Sequence, residues 1–121
     1  MNIVVVDNSK IVRGRISTLV STLPDVKVDD FDISEYKYGH FCADSHPNVI
    51  IISSEDASII CLNRFQELKK LNPKLLGIVL SNKPYKVNQS KWRDVGAEFY
   101  FDKSTEFEKI LDVCAVKEKH L

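Results

Sequence analysis

Pro47-Asn48-Val49-Ile50-Ile51-Ile52-Ser53 is the stretch that decides the fold. Its unbroken branched run leaves no polar face, so a strand built from it must be covered on both sides. Such strands lie in the middle of parallel sheets sandwiched between helices. Working outward, Ile3-Val4-Val5-Val6 repeats the pattern and ends at Asp7-Asn8-Ser9. Leu76 to Leu80 is a third buried strand, closed by the loop Ser81-Asn82-Lys83-Pro84.

Helical spacing fills the gaps between these runs. Ile11, Val12, Ile16, Leu19, Val20 and Leu23 predict a helix capped by Ser9 or Asn8 and closed by Pro24. Val26 and Val28 alternate with charged residues, and Phe31 and Ile33 follow among acids, which predicts a short strand near the sheet edge. Ser34 to Ser45 is expected to hold a helix with Tyr38, Phe41 and Cys42 turned inward, although Gly39 weakens it. Cys61, Leu62, Phe65, Leu68 and Leu71 form a helical stripe ended by Asn72-Pro73. Val87 to Val95 predicts a helix finished by Gly96, Phe99-Tyr100-Phe101 a short aromatic strand, and Phe107, Ile110, Leu111 and Cys114 a last helix. Strand and helix thus alternate five times with no linker, repeat or low-complexity segment. The expected architecture is α/β: one domain over residues 1–121, a doubly wound five-stranded parallel sheet with right-handed crossovers.

Composition narrows the function classes. The 121 residues carry 44% apolar and 28% charged side chains, the balance of an ordinary globular chain. Seventeen basic and seventeen acidic residues cancel, so the broad positive field of a nucleic-acid binder is not expected. No stretch approaches the ~20 apolar residues that span a bilayer, and Met1 to Asp7 shows no basic leader or cleavage pattern. Cys42, Cys61 and Cys114 are widely separated and without metal-ligand spacing, as expected of reduced, buried thiols in a cytoplasmic protein.

In doubly wound sheets the chemistry lies outside the carboxyl ends of the strands. Here those positions are Asp7, Asn8, Ser53, Ser54, Glu55, Ser81, Asn82, Asp102 and Lys103. Together they resemble the active site of a bacterial response-regulator receiver domain, the CheY-like branch of the flavodoxin-like folds. Asp7-Asn8-Ser9 with Arg13 resembles the acidic pair, Ser and helix Arg of that family. Pro47 to Ser53 follows its Pro-Asp, apolar run, acceptor-Asp pattern, and Ile78-Val79-Leu80-Ser81 its strand ending in Thr or Ser. Gly96-Ala97 through Tyr100 and Lys103 follows its Gly-Ala element, aromatic switch and Lys. The separations of 15 residues from Ser81 to Gly96 and 22 from Ser81 to Lys103 also fit.

The resemblance implies two-component (phosphorelay) signal transduction. An acceptor carboxylate takes a phosphoryl group from a kinase phosphohistidine beside a carboxylate-bound Mg²⁺. The Lys and the Thr or Ser hydroxyl hold the phosphoryl group, and the aromatic residue turns inward. On this chain the matching positions are Asp7, Ser81, Tyr100 and Lys103, with Ser81 and Tyr100 as the switch pair. The acceptor position does not match. Ser53 offers an un-ionised hydroxyl, a poor nucleophile without a positioned base. Asn8 replaces the second acid, which leaves Asp7, with Glu55 as a possible helper, to hold Mg²⁺ weakly at best. Ala57, Cys61 and Ser104 stand where the family has Pro, Gly and Pro, and the last puts the usual cis peptide in doubt.

The expectation is an atypical pseudo-receiver, not an enzyme and without a required cofactor. It would act through a protein partner or self-association, using the face of the fourth helix, fifth strand and fifth helix: Lys86 to Val95, Phe99 to Phe101 and Thr105 to Val116. One alternative is a working receiver with Asp56, Glu55 or Ser53 as substitute acceptor. Another is a small anion- or nucleotide-binding module using Lys103, Ser81 and Asn82. The bland readings are an Asp7–Lys103 ion pair, a packing role for Tyr100, and a solvated loop for Glu55 and Asp56. His40, His46 and His120 show no ligand spacing, and Trp92 has either a core or a partner-facing place. No Gly-rich phosphate loop, Gly-x-Ser-x-Gly elbow or His-Glu-x-x-His occurs, and Asp7-Asn8-Ser9-Lys10 lacks the cradle that flavin binding needs.

Overall fold

The three apolar runs occupy the middle of a single sheet. A computed structural model describes residues 1–38, 46–53, 58–82 and 86–121. Their elements are β1 (Asn2–Val6), α1 (Lys10–Val20), β2 (Lys27–Phe31), α2 (Ile33–Lys37) and β3 (Val49–Ser53), then α3 (Ile59–Leu71), β4 (Leu76–Ser81), α4 (Lys86–Asp94), β5 (Phe99–Asp102) and α5 (Lys109–Lys119). All strand pairings are parallel, in the order β2-β1-β3-β4-β5. The doubly wound five-stranded α/β architecture expected from the alternation is the one observed.

Strand side chains alternate between faces, and that alternation divides the core in two. Val4, Val6, Ile50, Ile52 and Val79 pack with Tyr36, Phe65, Leu68 and Trp92, under α2, α3 and α4. Ile3, Val5, Val49, Ile51, Ile78 and Leu80 pack with Ile16, Val20, Ile110 and Cys114, under α1 and α5. Each such side chain contributes about 1.5–3 kcal/mol on leaving water. The less apolar strands, β2 and β5, form the two edges.

Local chemistry sets the helix ends. Ser9 caps α1 by accepting from the Val12 N–H, and Ser58 caps α3 by accepting from the Cys61 N–H. After α4 the chain closes with Gly96 at φ +107°, the Gly96 N–H donating to the Arg93 carbonyl and the Ala97 N–H to the Trp92 carbonyl. This is the paired bonding that a left-handed glycine terminus provides.

Several sequence expectations need correction. Ile33 belongs to α2 rather than a strand, because Asp32 ends β2 and forms a capping box with Glu35. The inward tyrosine of α2 is Tyr36, wholly buried with its hydroxyl donating to the Cys61 carbonyl at 2.7 Å; Tyr38 is 68% exposed. α2 ends at Lys37, and Tyr38 is its non-helical C-cap, outside the face that meets the core. Phe41 and Cys42, and the rest of the Ser34 to Ser45 expectation beyond Tyr38, lie outside the described residues. Leu71 is exposed at the end of α3, where the stripe turns away from the sheet. Trp92 is buried, edge-on to Phe65 with ring centroids 5.8 Å apart. Cys61 and Cys114 are free and buried, as expected.

Gly77 is required by Phe65. A Cβ at position 77 would meet the ring at 2.3 Å, and the ring is pinned between the sheet and Trp92. Gly77→Ala should lower stability by about 1–3 kcal/mol. Urea unfolding will show less-than-additive loss when Phe65→Leu is combined with it, since the smaller side chain vacates the contact.

Burial pushes the Cys114 thiol up to about 12 from its ordinary 9.0. The folded thiol therefore keeps its proton where the unfolded one releases it. This contribution is fully present below pH 9 and declines by about 1.4 kcal/mol per pH unit until the folded value is reached. Unfolding free energies measured from about pH 8 to 11 should fall less steeply in Cys114→Ala than in the parent, by about one proton's slope.

Candidate functional site

The carboxyl ends of β1, β3, β4 and β5 bring Asp7, Ser53, Ser81 and Lys103 to one rim. β1 leads outward to β2, whereas β3 returns on its other side, so the chain changes winding direction between β1 and β3. A crevice opens at such a reversal. Val6 is in register with Ile52, and therefore Asp7 and Ser53 leave the sheet side by side. Strand alternation directs them toward α1 and α5, while Ser81 follows Val79 toward α2, α3 and α4.

Asp7 is buried and both its carboxylate oxygens are engaged. Oδ1 accepts from the Ser9 N–H at 2.7 Å, and Oδ2 accepts from Lys103 Nζ at 3.1 Å. The Asp7 carbonyl accepts from Arg13 Nη1 at 2.7 Å. Arg13 Nε in turn reaches Asp30 Oδ1 at 3.0 Å, and Nη1 lies 3.6 Å from Asp32 Oδ2. Asp32 is held below the usual carboxylate range, first by the Ser34 backbone N–H, then by the Ser34 hydroxyl, with Arg13 adding to the effect. The neighbouring acids Asp30 and Asp32 therefore complete the charge around Arg13. Their place in the sequence, one residue either side of Phe31, gave no sign that they would fold back onto α1.

Lys103 is placed by a firm backbone turn. Its N–H donates to the Ser81 carbonyl at 2.9 Å, tying the ends of β4 and β5 together. Asp102 Oδ1 accepts from the Ser104 and Thr105 N–H groups at 2.8 and 3.2 Å. Glu106 accepts from the Asp102 N–H at 3.0 Å, and its carboxyl lies below the usual range chiefly because Lys109 donates to it. The described peptide bonds are all trans, that between Lys103 and Ser104 included.

Ser53 is 6% exposed, and its Oγ has no hydrogen-bond partner among the described residues. A buried hydroxyl without a partner forgoes roughly 1–3 kcal/mol. Asn8 is exposed. Tyr100 is half-buried against the Trp92 layer, in register with Val79, one strand away from Ser81 and on its face of the sheet. The geometry thus brings Asp7, Ser53 and Lys103 together and sets Ser81 and Tyr100 on one face. Ser54, Glu55 and Asp56 lie outside the described residues.

A family-type Mg²⁺ site does not fit the described donors. Asp7 already meets the charge of Lys103, position 8 is an amide, and position 53 offers a neutral hydroxyl in place of a carboxylate. Among the described residues no group of three or more His, Cys, Asp or Glu side chains is placed to hold a metal ion.

Solved structures reproduce this arrangement of strands and helices. A pilus assembly protein from Burkholderia thailandensis aligns with a TM-score of 0.81 over 98% of each chain at 14% identity. A response regulator receiver protein from Pseudoalteromonas atlantica aligns at 0.80 over 99% of this chain and 98% of its own, at 17% identity. The DrrB receiver domain activated with BeF₃ aligns at 0.76 over 98% and 97%, at 18% identity. No family model and no curated protein matches the sequence. The chain has the fold of response-regulator receiver domains. No helix among the described residues is long and apolar enough to cross a membrane.

Lys103→Met leaves a buried carboxylate without its cation and should cost about 3 kcal/mol. Asp7→Asn combined with Lys103→Met should recover part of that loss, because no charge is then stranded. Denaturant midpoints of the two variants decide whether the pair supports the rim.

Proposed function

We propose that this chain is an atypical receiver domain in two-component signalling that takes no phosphoryl group at the usual position. It catalyses no reaction of its own and acts through protein–protein contact. The observation that carries the reading is Ser53, buried at the end of β3 in the acceptor's place with an unpartnered hydroxyl. Lys103 and Asp7 support it by pairing directly with one another, each meeting the other's charge at the rim. With an amide at position 8 and a hydroxyl at position 53, Mg²⁺ would find fewer carboxylates there than it favours.

The contact face of this reading comprises α4, β5 and α5. Val87 on α4 and Val116 on α5 are more than half exposed. Leu76, Phe99, Val113 and Val116 wall a groove of about 420 Å³ whose rim carries Asp112, Lys117 and His120. An apolar floor with a polar rim is the anatomy of a protein interface. Ser81 and Tyr100, on one face of the sheet beside α4, are the pair through which a bound partner or ligand would shift that surface. The neighbours' roles, pilus assembly and response regulation, carried over to this chain, both set such a domain among protein partners. The reading includes a cytoplasmic location, in keeping with the free thiols of Cys61 and Cys114.

Incubation with acetyl phosphate and Mg²⁺ should leave the intact mass unchanged. An added phosphoryl group mapped to Asp56 or Glu55 would instead establish a receiver with a substitute acceptor. Ser53→Asp with Asn8→Asp should restore Mg²⁺-dependent phosphorylation, because Asp7, Ser81 and Lys103 already stand at the rim.

A further inference from the structure

A second cavity adjoins the rim on the side of α1. Val12, Arg15, Asn82, Lys103, Ser104 and Phe107 line it, and its volume is about 320 Å³. That lies within the ~300–1,000 Å³ of small-molecule sites. Its described lining carries two cations and no carboxylate, in a chain whose formal net charge is +0. Lys103 is also paired with the Asp7 carboxylate, so Arg15 supplies the positive charge that the described lining has in excess, and a concave site focuses it on an oppositely charged guest.

The polar groups converge from three elements. Ser104 Oγ lies 3.5 Å from Asn82 Oδ1, so the β4 and β5 ends meet at the cavity floor. Arg15 rises from the exposed side of α1, its guanidinium 5.5 Å from the centre of the Phe107 ring. Stacking on a ring holds a guanidinium plane in place while leaving its N–H edge free to bond outward. Val12 and the Phe107 ring supply the apolar wall.

We propose that this cavity binds a small organic anion. Its single carboxylate or phosphoryl group sits between Arg15 and Lys103, and its flat or apolar body lies against Val12 and Phe107. Two cationic donors lining one cavity favour an anion with several acceptor oxygens over a halide. The ring and the valine give the organic body something to cover, which an inorganic ion lacks. Lys103 is shared with the Asp7 pair, so the guest draws on the same cation that neutralises the rim. Binding here thereby couples to the Asp7–Lys103 clasp, a route by which a ligand other than a transferred phosphoryl group acts on the domain. The inference rests on the domain being ligand-responsive without phosphorylation, yet the cavity does not involve Ser53. Failure to bind would leave the acetyl phosphate result, and the protein-contact reading, unaffected.

An amide-resolved NMR titration of the full chain tests it with phenyl phosphate, benzoate, inorganic phosphate and phenol. Saturable shifts at Val12, Arg15, Asn82, Ser104 and Phe107 are expected with phenyl phosphate or benzoate. Which of the two binds tighter identifies the anionic group. Inorganic phosphate should bind more weakly and phenol should leave these amides unmoved. Arg15→Gln, at an exposed position that does not threaten folding, should weaken binding about tenfold, the effect of one lost charge-assisted hydrogen bond. Arg15→Lys should restore part of it. The proposal is overturned if neither aryl anion shifts these amides, if phenol or inorganic phosphate binds as tightly, or if Arg15→Gln binds like the parent.

Discussion

A strand covered on both faces has nowhere to put a polar side chain except at its ends, and three such strands lie side by side in this sheet. Val4 to Val6, Val49 to Ile52 and Ile78 to Leu80 are almost wholly excluded from solvent. Their backbones are satisfied by neighbouring strands, and their side chains by two helical layers. A shift of one residue would exchange the contents of the two layers, whose knobs differ: Trp92, Phe65 and Tyr36 on one side, smaller aliphatic and thiol groups on the other. Register is therefore held firmly. The first polar residues after the runs, Asp7, Ser53 and Ser81, must emerge together at the carboxyl rim. The position of the site is thus a consequence of the core.

What that site holds is a matter of charge. Asp7 is almost fully buried, and an ionised carboxylate so placed requires a counter-charge and hydrogen bonds. It receives them from Lys103, from the Ser9 N–H and, at its carbonyl, from Arg13. Lys103 reaches the rim because Asp102 and Glu106 fasten the turn that follows β5. Among the described residues the Asp7–Lys103 pair therefore stands with the neutral Ser53 hydroxyl beside it.

The apolar runs made the sheet readable, since nothing but a buried parallel strand suits four branched residues bounded by polar ones. The rim residues followed from the runs and from their order along the chain. Less legible was anything that depended on a helix's bounds. α2 ends at Lys37, so Tyr36 reaches the core from within it while Tyr38 is its exposed C-cap. Leu71 continued a valid stripe, yet the sheet had already ended beneath it. Pairs formed across long separations were invisible too: Phe65 on Gly77, Trp92 edge-on to Phe65, Arg13 with Asp30. Each involves residues common in either a packed or a solvated role, and only the fold decides between them. Lys103 and Asp7 were separable from that background because both stood at strand ends of opposite charge.

The pairing of Asp7 with Lys103 also bears on how position 53 can be a serine without loss of the fold. A carboxylate there would stand beside Asp7 with Lys103 as their common cation. Two anions sharing one cation in a dry crevice repel, and a divalent metal is the usual remedy. With a hydroxyl at 53 that repulsion is absent, and Lys103 pairs with Asp7. The cost that remains is an unpartnered Ser53 Oγ, roughly 1–3 kcal/mol, against the several kcal/mol of an uncompensated buried charge. Serine at this position avoids that repulsion: the rim keeps the Asp7–Lys103 pair, with a neutral hydroxyl where a second carboxylate would call for a further cation.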